Sequence, residues 1–140
     1  MSVYLGLDLG SKTLGIAVSH SGVIASPLET FRFKEHHYNM AIDYLKKLIQ
    51  QYEVTHIILG LPKHMNNVMG ERANITVDFQ QKLKGVNVIL WDERLSTKSA
   101  LDSMRMFGLS QKEKKAQKDT QAALIILQNY LNYKETQHGR

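Results

Sequence analysis

Three places along the chain carry a carboxylate beside apolar residues. Asp8 lies inside the run YLGLDLG, Asp92 and Glu93 end the run VNVILWDE, and Asp119 precedes an apolar stripe at positions 122, 123, 126, 127 and 130. Helical periodicity directs Asp119 towards the same side as that buried stripe. Because successive strand residues point to opposite faces, only one of Asp92 and Glu93 can readily join the other two acids.

Each acid has a structural explanation when it is considered alone. Asp119 could cap the N-terminus of a helix, a role that contributes roughly 1 kcal/mol. Asp8 could accept hydrogen bonds from the amides of the turn at Gly10, and Asp92 or Glu93 could pair with Arg94 or a lysine. These explanations stay open at this point.

Taken together, the acids favour a different explanation. Carboxylates converging at one sheet edge repel one another, and divalent cations are the best means of neutralising them. A set of oxygen ligands without His or Cys suits Mg²⁺ or Mn²⁺. Two such ions roughly 4 Å apart can clamp the attacking and leaving oxygens of a phosphodiester. The pattern therefore indicates metal-dependent phosphodiester chemistry.

The elements that must position these acids follow in the order βββαβαβαα. Strands are predicted over residues 3–9, 14–19, 23–33, 55–62 and 86–93, with Pro27 indicating an edge strand or a bulge. Helices are predicted over 38–52, 71–83, 96–108 and 119–133, and residues 134–140 are predicted to be a flexible tail. Three antiparallel strands followed by strand–helix alternation give a mixed, five-stranded sheet with helices on both faces.

Composition narrows the class of protein. A length of 140 residues predicts one domain, and the absence of cysteine excludes disulfides and a cysteine nucleophile. We see no signal peptide and no apolar run long enough to span a membrane, so the expected location is the cytoplasm. A net charge of +5 permits a polyanionic partner without requiring one. No P-loop signature is present, and no pair of histidines has convincing zinc spacing.

Four segments, in this order and spacing, resemble the motifs of the YqgF family, which is also called RuvX: LGLDLGSKTLGIAVS, GLPKHMNNVMGERA, DERLST and KDTQAALIILQNYL. The resemblance covers residues 3 to 133 and implies the ribonuclease-H-like fold, similar to that of RuvC-type resolvases. The family was first described as Holliday junction resolvases, and many members are now described as nucleases that process the 5′ end of pre-16S ribosomal RNA.

Carried over by position, the resemblance assigns Asp8, Glu93 and Asp119 to the catalytic, metal-binding site, with Asp92 as the alternative to Glu93. Lys12, Arg72, Arg94 and Lys118 are the candidate contacts to substrate phosphates. The family favours arginine where this chain has Lys12, which supplies charge but not a bidentate fork. It usually carries glycine where Asn67 stands, and asparagine tolerates the same left-handed backbone.

The expected function is thus metal-dependent hydrolysis of structured RNA in ribosome maturation, with Mg²⁺ or Mn²⁺ as the cofactor. One alternative is resolution of branched DNA, which needs two coordinated cuts and predicts a symmetric dimer. Another is a nucleic-acid-binding module without catalysis. The sequence leaves open RNA against DNA, and monomer against homodimer.

Overall fold

A computed structural model describes residues 2–61, 69–92 and 118–137 of the chain. Its five strands are β1 (Tyr4–Leu9), β2 (Thr13–Ser19), β3 (Ser26–Arg32), β4 (His56–Leu61) and β5 (Asn87–Asp92). Its helices are α1 (Tyr38–Tyr52), α2 (Met69–Lys82) and α3 (Lys118–Gln137). The predicted helix over 96–108 lies outside the described residues.

The five strands form one mixed sheet in the order β3-β2-β1-β4-β5. β1 pairs antiparallel with β2 and parallel with β4, and β5 pairs parallel with β4. The predicted mixed, five-stranded sheet is therefore confirmed. Since β1, β4 and β5 run in the same direction, their carboxyl ends lie at one edge, which we call the carboxyl edge.

Pro27 lies where its missing N–H does least harm. β3 is an edge strand, and its pairing with β2 shifts so that Ile16 faces Glu29 while Ala17 faces Pro27. This shift leaves Leu28 as the extra residue of a bulge. Both possibilities raised by the proline, an edge position and a bulge, are confirmed.

The two faces of the sheet bury different helices. Leu5, Leu7 and Leu9 of β1 point to the face that packs against α1 and α2. Tyr4 and the alternate positions of β1 point to the other face, which is covered by α3. The helices lie on both faces, as the strand–helix order predicts. We refer below to the α1 face and the α3 face.

Gly6 sets how closely α3 approaches the sheet. A Cβ atom at this position would lie 2.6 Å from the Cβ of Leu127 and 2.7 Å from the carbonyl oxygen of Ala123. Such contacts are too short for any other residue, so glycine lets the helix backbone rest directly on the central strand.

The end of α3 differs from the prediction. The helix was expected to stop at Tyr133, with 134–140 as a tail, but it continues to Gln137. Lys134 and Glu135 are good helix formers, and no glycine or proline stands between Tyr133 and Gly139 to end the helix. Lys134 also contacts the ring of Tyr4, with its Nζ 5.5 Å from the ring centroid. The predicted end was therefore four residues too early.

Candidate active site at the carboxyl edge

Asp8 lies on the α3 face at the carboxyl end of β1. It pairs with Gly15 of β2, whereas Leu7 pairs with Leu59 of β4. Asp8 follows Leu7, which is buried on the α1 face, so strand alternation turns its carboxylate towards α3. The residue is partly exposed, which distinguishes it from the buried leucines on either side. A carboxylate in this position is held by the central strand and still reachable from solvent.

α3 begins over the same row of the sheet. The Thr120 hydroxyl is hydrogen-bonded to the Thr30 hydroxyl at 2.7 Å, and Thr30 pairs with Gly15, the partner of Asp8. At the other end, Gln128 accepts from the backbone N–H of Ala25 at 2.9 Å. α3 therefore runs antiparallel to β1, and its N-terminus lies at the carboxyl edge.

This direction brings the backbone of Asp119 to the edge that carries Asp8. Asp119 is the second residue of α3 and precedes Thr120, which is fully buried. The partial positive charge of a helix N-terminus favours nearby anions, whether carboxylates or phosphates. Lys118, the first residue of α3, reaches the same edge by its backbone. The side chains of Lys118 and Asp119 lie outside the described part of the structure.

Asp92 lies on the face opposite to Asp8. It pairs with Leu61, and Trp91 before it pairs with Gly60. Trp91 packs on the α3 face and Leu90 on the α1 face, so alternation places Asp92 on the α1 face. Glu93, the other candidate, and Arg94 lie outside the described residues. Among the described residues, no three His, Cys, Asp or Glu side chains are grouped closely enough to hold a metal.

Lys12 occupies the tip of the turn between β1 and β2. The turn is closed by the Gly10 N–H, which donates to the Thr13 carbonyl at 2.8 Å. Lys12 itself is exposed, and its carbonyl accepts from the N–H of Phe33 at 3.0 Å. The predicted cation is thus fixed by its backbone close to the carboxyl edge while its side chain reaches into solvent.

Arg72 approaches the same edge from α2. One of its guanidinium N–H groups donates to the carbonyl of Leu9 at 3.2 Å. Leu9 directly follows Asp8 along β1, but its side chain points to the α1 face. Arg72 therefore approaches the edge from the side opposite to α3, although 63 residues separate it from Leu9 in the chain.

Comparison with known proteins identifies the family of this chain. The model of the RuvX family, described as Holliday junction resolvase, matches residues 2–133. The chain belongs to the RuvX family. A relative from Onion yellows phytoplasma, named "Putative pre-16S rRNA nuclease", is 49% identical over 133 residues, which are 92% of this chain and 88% of the relative. One from Staphylococcus epidermidis with the same name is 41% identical, covering 91% and 94% of the two chains.

The structural comparison confirms the fold of this RuvX chain. The RuvC of T. thermophilus, solved in complex with a Holliday junction substrate, superposes with a TM-score of 0.72. The two chains are only 14% identical, and the match covers 98% of this chain and 97% of RuvC. The family resemblance and the ribonuclease-H-like fold predicted from the motifs are both confirmed. Among the described helices, none has the length and the apolar character that crossing a membrane requires.

Two features of this edge escaped the sequence interpretation. The Thr30–Thr120 hydrogen bond joins residues 90 positions apart, and no local sequence pattern around either threonine predicts this contact. His36 belongs to none of the predicted sites, yet it has a left-handed backbone with φ of 65° and borders a cleft beside the turn. The weak signal in the sequence was the loop KEHH, which contains no glycine or asparagine to adopt that conformation.

Proposed function

We propose that this protein is a divalent-metal-dependent nuclease that hydrolyses phosphodiester bonds in precursor ribosomal RNA, at the 5′ end of pre-16S rRNA. Its main support is the position of Asp8 on the α3 face at the carboxyl edge, where α3 begins with Asp119 in its first turn. The names of relatives 49% and 41% identical to this chain support the choice of RNA substrate.

The proposed metal ligands are Asp8, Glu93 and Asp119. Asp92 is less suitable because it lies on the α1 face, away from Asp8. The proposed donors are all carboxylates, which suit Mg²⁺ or Mn²⁺ better than zinc. A partly exposed carboxylate on a buried central strand fits such an ion, because the strand fixes the ligand while solvent and substrate can still reach it. Divalent-metal dependence is general among nucleases of the RuvC-like fold.

The reaction is the hydrolysis of a phosphodiester. A water oxygen attaches to phosphorus, the bond from phosphorus to one ester oxygen breaks, and that oxygen leaves with a proton. When bound, the cations supply charge stabilisation at both oxygens and favour deprotonation of the water. The chain contributes the carboxylates that hold the cations. It also contributes the N-terminus of α3, whose partial positive charge is directed at the same edge.

The remaining predicted residues are proposed to hold the nucleic acid. Lys12 and Arg72 lie on two sides of the carboxyl edge, at the β1–β2 turn and on α2. Lys118 opens α3, and Arg94 follows the proposed ligand Glu93 in sequence. Cations around a carboxylate site neutralise substrate phosphates that the acids alone would repel.

Cleavage by two aspartate variants tests the mechanism. Asp8→Asn keeps the shape of the side chain and removes its charge, so we expect cleavage of a pre-16S 5′-leader RNA in Mg²⁺ to fall at least a hundredfold. Asp43→Asn is the matched control, since Asp43 is exposed on α1. Asp8→Asn cleaving at the wild-type rate would refute the proposed site.

Resolution of branched DNA is the second candidate, and the likeness to a RuvC bound to a Holliday junction favours it. The wild-type protein and Asp8→Asn should be compared on the leader RNA and on a four-way DNA junction of equal length. Cleavage of RNA alone supports the leading proposal, and cleavage of the junction alone replaces it. Tight binding of either substrate without any Asp8-dependent cleavage would instead indicate a binding module.

A further inference from the structure

A cleft of about 190 Å³ opens on the α1 face beside the β1–β2 turn. Its walls come from the end of β1, the turn, the segment before α1 and the first two turns of α2, and they include Leu9, Gly10, Ser11, His36, Glu71 and Arg72. The volume is below the roughly 300–1,000 Å³ typical of sites for drug-sized ligands. The cleft therefore suits a small group better than a whole nucleoside.

The polar groups of this cleft are mostly hydrogen-bond donors. Arg72 brings a guanidinium, of which one N–H is used by the Leu9 carbonyl. Ser11 brings a hydroxyl, and His36 brings an imidazole that carries an N–H donor in either protonation state. Glu71 is the one carboxylate among the lining residues, and it is exposed, as are Arg72 and His36, so solvent screens its charge and that of Arg72 alike. A small, anionic ligand fits this balance.

Two backbone hydrogen bonds join the segment before α1 to the β1–β2 turn beside the cleft. The His36 N–H donates to the carbonyl of Ser11 at 2.8 Å, and the Phe33 N–H donates to that of Lys12 at 3.0 Å. To make its bond, His36 adopts a φ of 65°, a conformation that costs a residue with a side chain about 1 kcal/mol or more. Glycine would adopt it more easily. An imidazole at this strained position lines the cleft instead.

The cleft adjoins the proposed active site across the carboxyl edge. Leu9 and Gly10, which line it, directly follow Asp8 along the chain. Asp8 points to the α3 face while Leu9 points to the α1 face. A nucleic acid strand crossing this edge would therefore pass Asp8 on the α3 face and the cleft on the α1 face.

We infer that this cleft is a phosphate subsite, in which Arg72, Ser11 and His36 bind a phosphodiester next to the one that is cleaved. The inference rests on the proposed nuclease function, since it assigns the cleft to the same substrate strand. It adds Ser11 and His36 to the binding residues and sets the path of the strand over the β1–β2 turn.

Binding of short oligonucleotides without cleavage tests the subsite. Fluorescence anisotropy in EDTA gives affinities for a series in which one phosphate at a time is replaced by a neutral methylphosphonate. For the wild type, we expect one position near the cut to weaken binding by roughly five- to tenfold. His36→Asn keeps a residue that tolerates the left-handed backbone but lacks the imidazole. It should bind the unmodified strand several-fold more weakly and lose the sensitivity at that one position.

Two further variants separate loss of contact from loss of fold. His37→Asn removes an imidazole one residue away, whose ring contacts the Glu35 carbonyl and does not line the cleft, and it should bind like the wild type. His36→Gly relieves the backbone strain, so it should unfold at an equal or higher temperature and still bind weakly. Wild-type affinity in both His36 variants, or an equal loss at every methylphosphonate position, would overturn the inference.

The outcome is independent of the test on Asp8. If Asp8→Asn cleaves normally while the methylphosphonate effect depends on His36, the subsite stands and the proposed catalytic site fails. If Asp8→Asn is inactive but no position depends on His36, the catalytic site stands and the subsite fails. If the four-way DNA junction proves to be the substrate, the same methylphosphonate series made in DNA tests the subsite.

Discussion

At the scale of single residues, two glycines lie in opposite packing environments, one tight and one open. Gly6 lies on β1 two residues before Asp8, and no Cβ fits there beneath α3. Gly70, near the start of α2, has nothing within 4 Å of the position its Cβ would occupy. The same substitution at these two positions should therefore have opposite effects.

Gly6→Ala should lower the free energy of unfolding by about 1–3 kcal/mol, because Leu127 and the backbone at Ala123 must move away. Nuclease activity should fall as well, since α3 carries Asp119 to the edge. Gly70→Ala should leave stability unchanged or raise it by up to about 1 kcal/mol, as alanine is the better helix former. Urea unfolding of both variants measures the difference, and an equally stable Gly6→Ala would contradict the packing described.

The two adjacent acids at the end of β5 give a second prediction at this scale. Because Asp92 lies on the α1 face, Asp92→Asn should cleave RNA within about threefold of the wild-type rate. Glu93→Gln should lose at least a hundredfold, as expected for a metal ligand. Single-turnover cleavage in Mg²⁺ compares them directly. The reverse result would make Asp92 the ligand and would contradict its placement on the α1 face.

At the scale of elements, the sequence could predict features that depend on local patterns but not those that depend on contacts between distant residues. The five strands and three helices of the described residues were predictable because their apolar spacing is local, and Pro27 correctly indicated both an edge and a bulge. Asp8 stood out as a candidate because a lone acid interrupts an apolar strand, and its assignment to an active site stays a prediction. The Thr30–Thr120 contact and the cleft at His36 were not predictable, because each depends on residues far apart in the chain that only the sheet order brings together.

One contact between elements should be visible in a pH titration. Tyr44 of α1 donates a hydrogen bond to the carboxylate of Glu29 on β3 and stacks on Phe31 at 4.3 Å between ring centroids. Partial burial, together with the hydrogen bond to Glu29 and its negative charge, raises the pKa of Tyr44 from 10.0 to about 12. The neutral tyrosine is thus favoured in the folded state.

This raised pKa determines the sign of the effect on stability. Below pH 10 the stabilisation is fully present, and it is lost as the pH rises from 10 to about 12, because the unfolded chain gives up its proton first. In Tyr44→Phe, the decline in unfolding free energy over this range should be shallower. Its ultraviolet absorbance should also lack the tyrosine titrating near pH 12. An unchanged titration curve in the variant would refute the assignment.

At the scale of the whole molecule, the net charge of +5 is modest, so the position of each charge matters more than the total. Lys12 and Lys46 are both exposed, but Lys12 lies at the carboxyl edge and Lys46 on α1. Replacing either by glutamine removes the same unit of charge. A nucleic acid that binds at the carboxyl edge should distinguish the two variants, whereas attraction to net charge alone should not.

Salt dependence of single-stranded RNA binding makes this comparison quantitative. Each contacted phosphate contributes about −0.7 to the slope of log affinity against log salt concentration. Lys12→Gln should therefore reduce the magnitude of that slope by about 0.7, and Lys46→Gln should leave it at the wild-type value. Anisotropy titrations at salt concentrations from about 50 to 200 mM measure the slopes of both variants. Equal slopes for the two variants would mean that the strand does not pass the β1–β2 turn, and the path proposed from Asp8 to the phosphate cleft would have to be abandoned.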